Sequence, residues 1–266
     1  MGLQETRSRE VSVTTTGTYL SVPSTCDPAG NYGSERWVSK RLRQVLKPGS
    51  YATLRPPQLT VVHEDPRRLV VTVVPAGARL FLASFHAPHF QPGGSTEEEA
   101  DGYRVLTQWL KDTALVYGAA ATQFPHSIVF TDANVSLGSL RAFGVGGDMQ
   151  GLTSKHVTPF IRFLEQTCHR VSSPYRENQM HSVPHQTFKH GYAGTPTVLD
   201  YILVPQAVGI VPASVRPHAP FRYGNGTPRA LPSSCSTPLL APGYTGELPQ
   251  ESRALQSRCV SRSCQG

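Results

Sequence analysis

The chain has 266 residues, 38% hydrophobic and 16% charged, with a formal net charge of +7. That length admits one large domain or two small ones, and the modest hydrophobic share leaves part of the chain outside any core. The positive balance favours polyanions such as nucleic acid as partners, and the absence of any apolar run of about 18 residues excludes a membrane-spanning helix.

Residues 11–20 are rich in β-branched side chains and predict a strand, followed by a loop over 21–35 that holds Pro23, Pro28, Gly30 and Gly33. Residues 36–40 predict a short strand leaving that loop. Three more strands are expected over 59–64, 69–75 and 79–85, separated by Asp65-Pro66 and by Pro75-Ala76-Gly77. The period then changes. Ser95 followed by Glu97, Glu98 and Glu99 is a helix start, and Tyr103, Leu106, Trp109, Leu110 and Thr113 continue at helical spacing towards a stop at Gly118. A buried strand is expected over 127–131, an amphipathic helix over 156–168 with Pro159 near its start, and a last strand over 197–204. Residues 223–266 are rich in Pro, Ser, Gly and Arg without a sustained period, and are expected to form a disordered or non-globular tail behind a domain at 1–222. Strands interrupted by two helices predict an α/β or α+β layered domain.

The five cysteines, Cys26, Cys168, Cys235, Cys259 and Cys264, are odd in number and contain no Cys-x-x-Cys pair. That pattern argues against a zinc site and against a disulfide framework, and for a reducing, intracellular compartment, nuclear or cytoplasmic. Residues 1–20 lack the basic-then-apolar layout of a signal peptide. No membrane contact and no obligate protein partner are expected.

Polar groups of chemical interest fall at the ends of several apolar runs. Asp132 closes one strand and Asn134 follows two positions later. On a continuing strand both would share a face, where a carboxylate activates water and an amide donates to a phosphate oxygen; the alternative is an Asx turn. His86, in Phe85-His86-Ala87-Pro88-His89, is placed to bond a phosphate or carry a proton, or is a histidine at a strand's surface end. Asp200, between Leu199 and Tyr201, is costly to bury unpaired; it would orient an imidazole or pair with an arginine. Glu5 in Gln4-Glu5-Thr6 is a carboxylate of the kind that holds Mg²⁺ or Mn²⁺ with few protein ligands, or a solvated residue near the first position.

In this order the motifs resemble the endonuclease/exonuclease/phosphatase superfamily of DNase I-like nucleases, abasic-site endonucleases and, nearest, endonuclease domains of non-LTR retrotransposons. The residues that carry the resemblance are Gln4-Glu5-Thr6, Tyr32-Gly33 with Trp37-Val38-Ser39-Lys40, His86-Ala87-Pro88, Asp132-Ala133-Asn134, Gln186-Thr187-Phe188 and Asp200-Tyr201-Ile202, spread over residues 2 to about 205. The resemblance implies a four-layer α/β/β/α sandwich and Mg²⁺-dependent hydrolysis of a phosphodiester, most readily as an endonuclease on DNA. In that scheme Glu5 holds the metal, Asp132 activates water, Asn134 and His86 grip the phosphate, and Asp200 orients an acid/base histidine. Two features depart from the pattern. The strand that would deliver an Asn or Asp before Glu5 has no counterpart, and beyond Asp200 the nearest histidine is His218, the candidate substitute for the closing Asp-His. The expectation is therefore a domain lacking the first strand and the last strands. A phosphatase of small phosphoesters or phosphoinositides, and a catalytically impaired remnant of retroelement origin, are the alternative functions.

Overall fold

The computed structural model describes residues 2–4, 6–43, 51–74, 79–89, 95–121, 126–146, 153–172, 188–189 and 196–206. Glu5, His218 and the 223–266 tail of the sequence reading lie outside them. The small sheet holds β1 (Gly2–Gln4), β2 (Thr14–Thr16), β3 (Tyr19–Pro23) and β4 (Ser34–Ser39) in the order β1-β4-β3-β2, antiparallel throughout. A two-stranded ladder of β5 (Arg41–Arg43) and β6 (Tyr51–Thr53) follows.

The large sheet begins with β7 (Leu59–Asp65), β8 (Arg68–Val73) and β9 (Leu80–His86). Helix α1 (Thr96–Ala121) then crosses to β10 (His126–Asp132), and this crossover allows β9 and β10 to run parallel. Two short hairpin strands, β11 (Arg141–Ala142) and β12 (Val145–Gly146), precede α2 (Val157–Thr167) and β13 (His169–Val171). A second minimal ladder, β14 (Phe188–Lys189) with β15 (Pro196–Thr197), leads to β16 (Asp200–Pro205). The large sheet is ordered β13-β16-β10-β9-β8-β7.

Side-chain alternation along the central strands builds two cores. Val70, Phe81, Ala83, Phe85 and Val129 point to one face, where Leu106 and Leu110 of α1 and Phe160, Phe163 and Leu164 of α2 cover them. Leu69, Val71, Val73, Leu82 and Ile128 point to the other and meet Leu20, Val22 and Val38 of the small sheet. The protein is thus a layered α/β fold in which helices, large sheet and small sheet stack in that order, with two packed sheets as expected. Among the described residues α1 and α2 are the α-helices, and both lie on the large-sheet side. No helix among the described residues is long and apolar enough to cross a membrane.

Helix α1 opens on the expected acidic first turn with a reciprocal cap. The Ser95 amide donates to Glu98 Oε2 at 2.7 Å, and the Glu98 amide donates to Ser95 Oγ at 3.3 Å. The helix runs past Gly118 to Ala121 rather than stopping there, since a single glycine in a helix costs only about 1 kcal/mol against alanine. The expected strand over 11–20 is instead a hairpin. Gly17 at φ 53° lets the chain turn between β2 and β3, so the β-branched run spans two strands, and Ser21–Pro23 belong to β3 rather than to a loop. Cys168, at φ 51° in the left-handed cap of α2, is disulfide-bonded, while Cys26 is free.

One charged side chain is enclosed between the sheets. Arg36 on β4 is 1% exposed, donates from Nη2 to the Ala83 carbonyl, and sits 4.0 Å from the centroid of the Phe130 ring. Its Nε and Nη1 have no hydrogen-bond partner among the described residues, and burial pushes its pKa down to about 9.

Candidate active site

Strands β9 and β10 end together, and β16 begins where they end. The pairing register sets His86 opposite Asp132, and Asp132 opposite Asp200. Three of the residues singled out in the sequence therefore occupy one rung across three adjacent strands. Their alternation places them with Leu82, Ile128 and Ile202, on the face turned towards the small sheet. The rung closes one end of the inter-sheet core, where an apolar floor gives way to polar groups.

His86 Nε2 lies 3.8 Å from Asp132 Oδ2. The imidazole is 7% exposed, and its Nδ1 has no partner among the described residues. Burial first, then the positive charge of Arg67 and the neighbouring His89, push the His86 pKa down to about 4. The ring is neutral at physiological pH and offers a hydrogen bond rather than a charge.

Arg67, which the sequence reading passed over, and Tyr32, noted there only as part of a motif, frame His86. The Asp65–Arg68 turn between β7 and β8 stands at the same end of the sheet, because Arg68 pairs with Phe85. From that turn the Arg67 carbonyl accepts the His86 amide at 2.9 Å. Arg67 Nη1 donates to the carbonyls of His86 at 3.3 Å and Ala87 at 3.0 Å, and its guanidinium lies 3.8 Å over the Tyr32 ring. Tyr32 in turn presents its ring edge-on to His86, with centroids 5.5 Å apart. Asp65-Pro66 reads in the sequence only as punctuation; the signal available was a basic residue in a hairpin turn one strand away from the site strand.

The loop that carries Tyr32 needs unusual backbone. Tyr32 is at φ 61° and Gly33 at φ 91°, and a Cβ on Gly33 would stand 3.0 Å from the Arg7 amide nitrogen. Thr6 donates to the Gly33 carbonyl at 3.2 Å and Arg7 to the Tyr32 carbonyl at 3.0 Å. The segment that starts at Thr6 is thereby tied to the loop whose tyrosine touches His86.

Asn134 lies beside the rung but not on a continuing strand. β10 stops at Asp132, and Asn134 takes φ 49°. Its amide nitrogen donates to Asp132 Oδ1 at 3.0 Å, which is the Asx turn weighed as the alternative. Its side-chain Nδ2 donates to the Ala87 carbonyl at 2.7 Å, and His89 Nδ1 is 3.5 Å from its Oδ1. The asparagine thus fastens the exits of β9 and β10 to each other. Tyr201, next to Asp200, points to the opposite face and is 2% exposed. Its hydroxyl accepts the Leu137 amide at 3.1 Å and lies 2.9 Å from the Val135 carbonyl, pinning the loop after β10 to β16. Burial raises the Tyr201 pKa above the ordinary range, and the carboxylates of Asp200 and Asp132 add to the effect.

The structure therefore brings His86, Asp132 and Asp200 together, with Asn134 bracing the loops behind them; Glu5 and His218 lie outside the described residues. Among the described residues no three His, Cys, Asp or Glu side chains are grouped to hold a metal ion. A cation such as Mg²⁺, which keeps several waters and binds through one or two carboxylates, does not require such a group. The two aspartates of the rung offer the hard oxygen donors that suit it.

No protein-family model matches the chain, and no curated protein matches it. Solved structures do. The endonuclease domain of TRAS1, a telomere-specific non-LTR retrotransposon, is 12% identical, with 73% of this chain and 69% of that one covered and a TM-score of 0.41. The catalytic domain of Xenopus laevis APE2 is 15% identical, with 78% and 74% covered and a TM-score of 0.47. The 3'-5' exonuclease NExo from Neisseria meningitidis is 15% identical, with 81% and 78% covered and a TM-score of 0.42. All three have the DNase I-like endonuclease/exonuclease/phosphatase fold.

Proposed function

We propose that the chain carries a metal-dependent phosphodiester-hydrolysing site and acts on DNA as an endonuclease. The observation that carries this reading is the rung itself: a neutral imidazole and two carboxylates in register across β9, β10 and β16, at the mouth of an apolar inter-sheet core. The net charge of +7 supports a polyanionic substrate, since phosphate contacts dominate affinity for nucleic acid.

In this reading Glu5 would hold a divalent cation, which would supply Lewis-acid chemistry at the site. Asp132 takes the proton from the attacking water. Its position is fixed by the Asn134 amide on one oxygen and by His86 beside the other. His86, kept neutral by burial and by Arg67, donates a hydrogen bond to a non-bridging phosphate oxygen as charge develops there. Asp200 orients an acid/base imidazole, for which His218 is the candidate. Asn134 contributes through position, because its amide group holds the Ala87 carbonyl.

Plasmid nicking in Mg²⁺, with chelator and with Asp132→Asn as controls, tests the reading. Nicking that needs metal and is lost in the variant supports it. Metal-independent nicking, or equal nicking by wild type and variant, refutes it.

A further inference from the structure

We infer that Arg67 is a phosphate-binding residue for the strand that runs into the site, and hence that the substrate is a polynucleotide longer than the single phosphodiester being cut. This rests on the reading of the His86–Asp132–Asp200 rung as a phosphodiesterase site for where the phosphate goes.

The first ground is the contrast between two neighbouring arginines on one turn. Arg68 spends its charge locally: Nε donates to Asp65 Oδ2 at 2.6 Å, and the same oxygen is 3.1 Å from His63 Nε2. The other oxygen of Asp65 accepts the Arg67 amide at 2.8 Å. Asp65 is thus occupied by its own turn, and the Arg67 guanidinium has no carboxylate within ion-pair distance among the described residues.

The second ground is pre-organisation. A long cationic side chain left to solvent samples many rotamers, and ordering it costs free energy. Arg67 is already ordered. Nη1 is anchored on the His86 and Ala87 carbonyls, and the guanidinium plane rests on the Tyr32 ring. Among the described residues that leaves the Nε and Nη2 edge for an external acceptor. A guanidinium edge of fixed orientation matches two oxygens of a phosphate. The stack on Tyr32 is the cation–π arrangement that holds the plane still.

The third ground is place. Arg67 bonds the backbone of His86 itself, so a phosphate on its free edge lies within about one nucleotide of a phosphate at the rung. A small phosphoester has nothing to put there, whereas a polynucleotide backbone repeats its charge at that spacing.

The test is equilibrium binding of a fluorescent duplex oligonucleotide by the full chain, in chelator, over a series of salt concentrations. Each phosphate neutralised on duplex DNA contributes about 0.9 to the slope of log affinity against log salt. Arg67→Gln is expected to bind more weakly and to lower the slope by about 0.9, and Arg67→Lys to keep the wild-type slope. Circular dichroism of both variants confirms the fold, and Arg67→Met, which also removes the charge, carries the same expectation if the glutamine variant does not fold. An unchanged slope in Arg67→Gln overturns the inference, as does a slope lost equally in both variants. A wild type that does not bind the duplex also overturns it. Because this binding needs neither metal nor turnover, its outcome stands apart from that of the nicking assay.

Discussion

Asp132 Oδ2 stands 3.8 Å from His86 Nε2 across a parallel strand pair, and the same aspartate faces Asp200 across an antiparallel one. A carboxylate so placed has an imidazole on one side and a second acid on the other, and the two strand pairings hold all three at one level. Under the proposed function the imidazole would act as a neutral donor, so its shape would matter more than its basicity. His86→Gln is expected to retain nicking within about tenfold, while His86→Ala, which removes the donor, loses about 10²-fold. Initial rates on supercoiled plasmid measure both. Equal losses in the two variants would show that donation is not what His86 contributes.

The fold should weaken in mild acid through two histidines. His169 is 3% exposed in the helix-side core, with Nδ1 2.6 Å from the Thr167 carbonyl and Nε2 2.9 Å from Ser127 Oγ and 2.5 Å from Tyr117 Oη. Nδ1 donates to the carbonyl, so Nε2 must accept, and a proton there would displace the donated hydrogen bond. Burial pushes His169 down to about 4, as it does His86, from an ordinary value of 6.5. Between those values the unfolded chain binds more protons than the folded one. The stability they contribute is complete above pH 6.5 and is lost as pH falls towards 4. The loss is on the order of a few kcal/mol for the pair. Denaturant melts at successive pH values should show it, with a shallower pH slope in His169→Gln. A wild type equally stable at pH 7 and pH 5 would contradict it.

Arg36 is expected to be a liability to stability. A guanidinium enclosed between two sheets with Nε and Nη1 unmatched among the described residues keeps most of its desolvation cost. Replacing it with a side chain of similar length and no charge removes that cost while still covering Phe130. Arg36→Met is predicted to stabilise the protein by about 1–4 kcal/mol. Thermal melting checks this, and a lower melting temperature in the variant would show that Arg36 is matched by a group outside the described residues.

What could be read in the sequence was what is local. The Ser95–Glu98 cap, the helical spacing of Leu106 and Leu110, and the apolar runs ending at His86 and Asp132 are set by neighbours a few residues away, and each appears where the pattern places it. The hairpin at Gly17 was hidden because β-branched residues flank the turn on both sides and outweigh one glycine. Asn134 was drawn on the face of Asp132 by continuing a strand that ends two residues earlier. The partnership of His86, Asp132 and Asp200 depends on register between strands far apart in the chain, which no local pattern encodes. Arg67 escaped notice for a related reason: a turn has no period, and its importance comes from which strand end lies beside it.

The most direct measurement is the Mg²⁺-dependent nicking rate of supercoiled plasmid by wild type and by Asp132→Asn, at matched thermal stability. Asparagine preserves the oxygen that accepts the Asn134 amide and removes only the base, so the fold should hold and the rate fall by about 10²-fold or more. Nicking by the wild type that chelator abolishes, together with that fall, is the predicted result. A folded wild type without nicking activity, or a variant that nicks as fast as the wild type, would contradict the assignment of the His86–Asp132–Asp200 rung as a phosphodiesterase site.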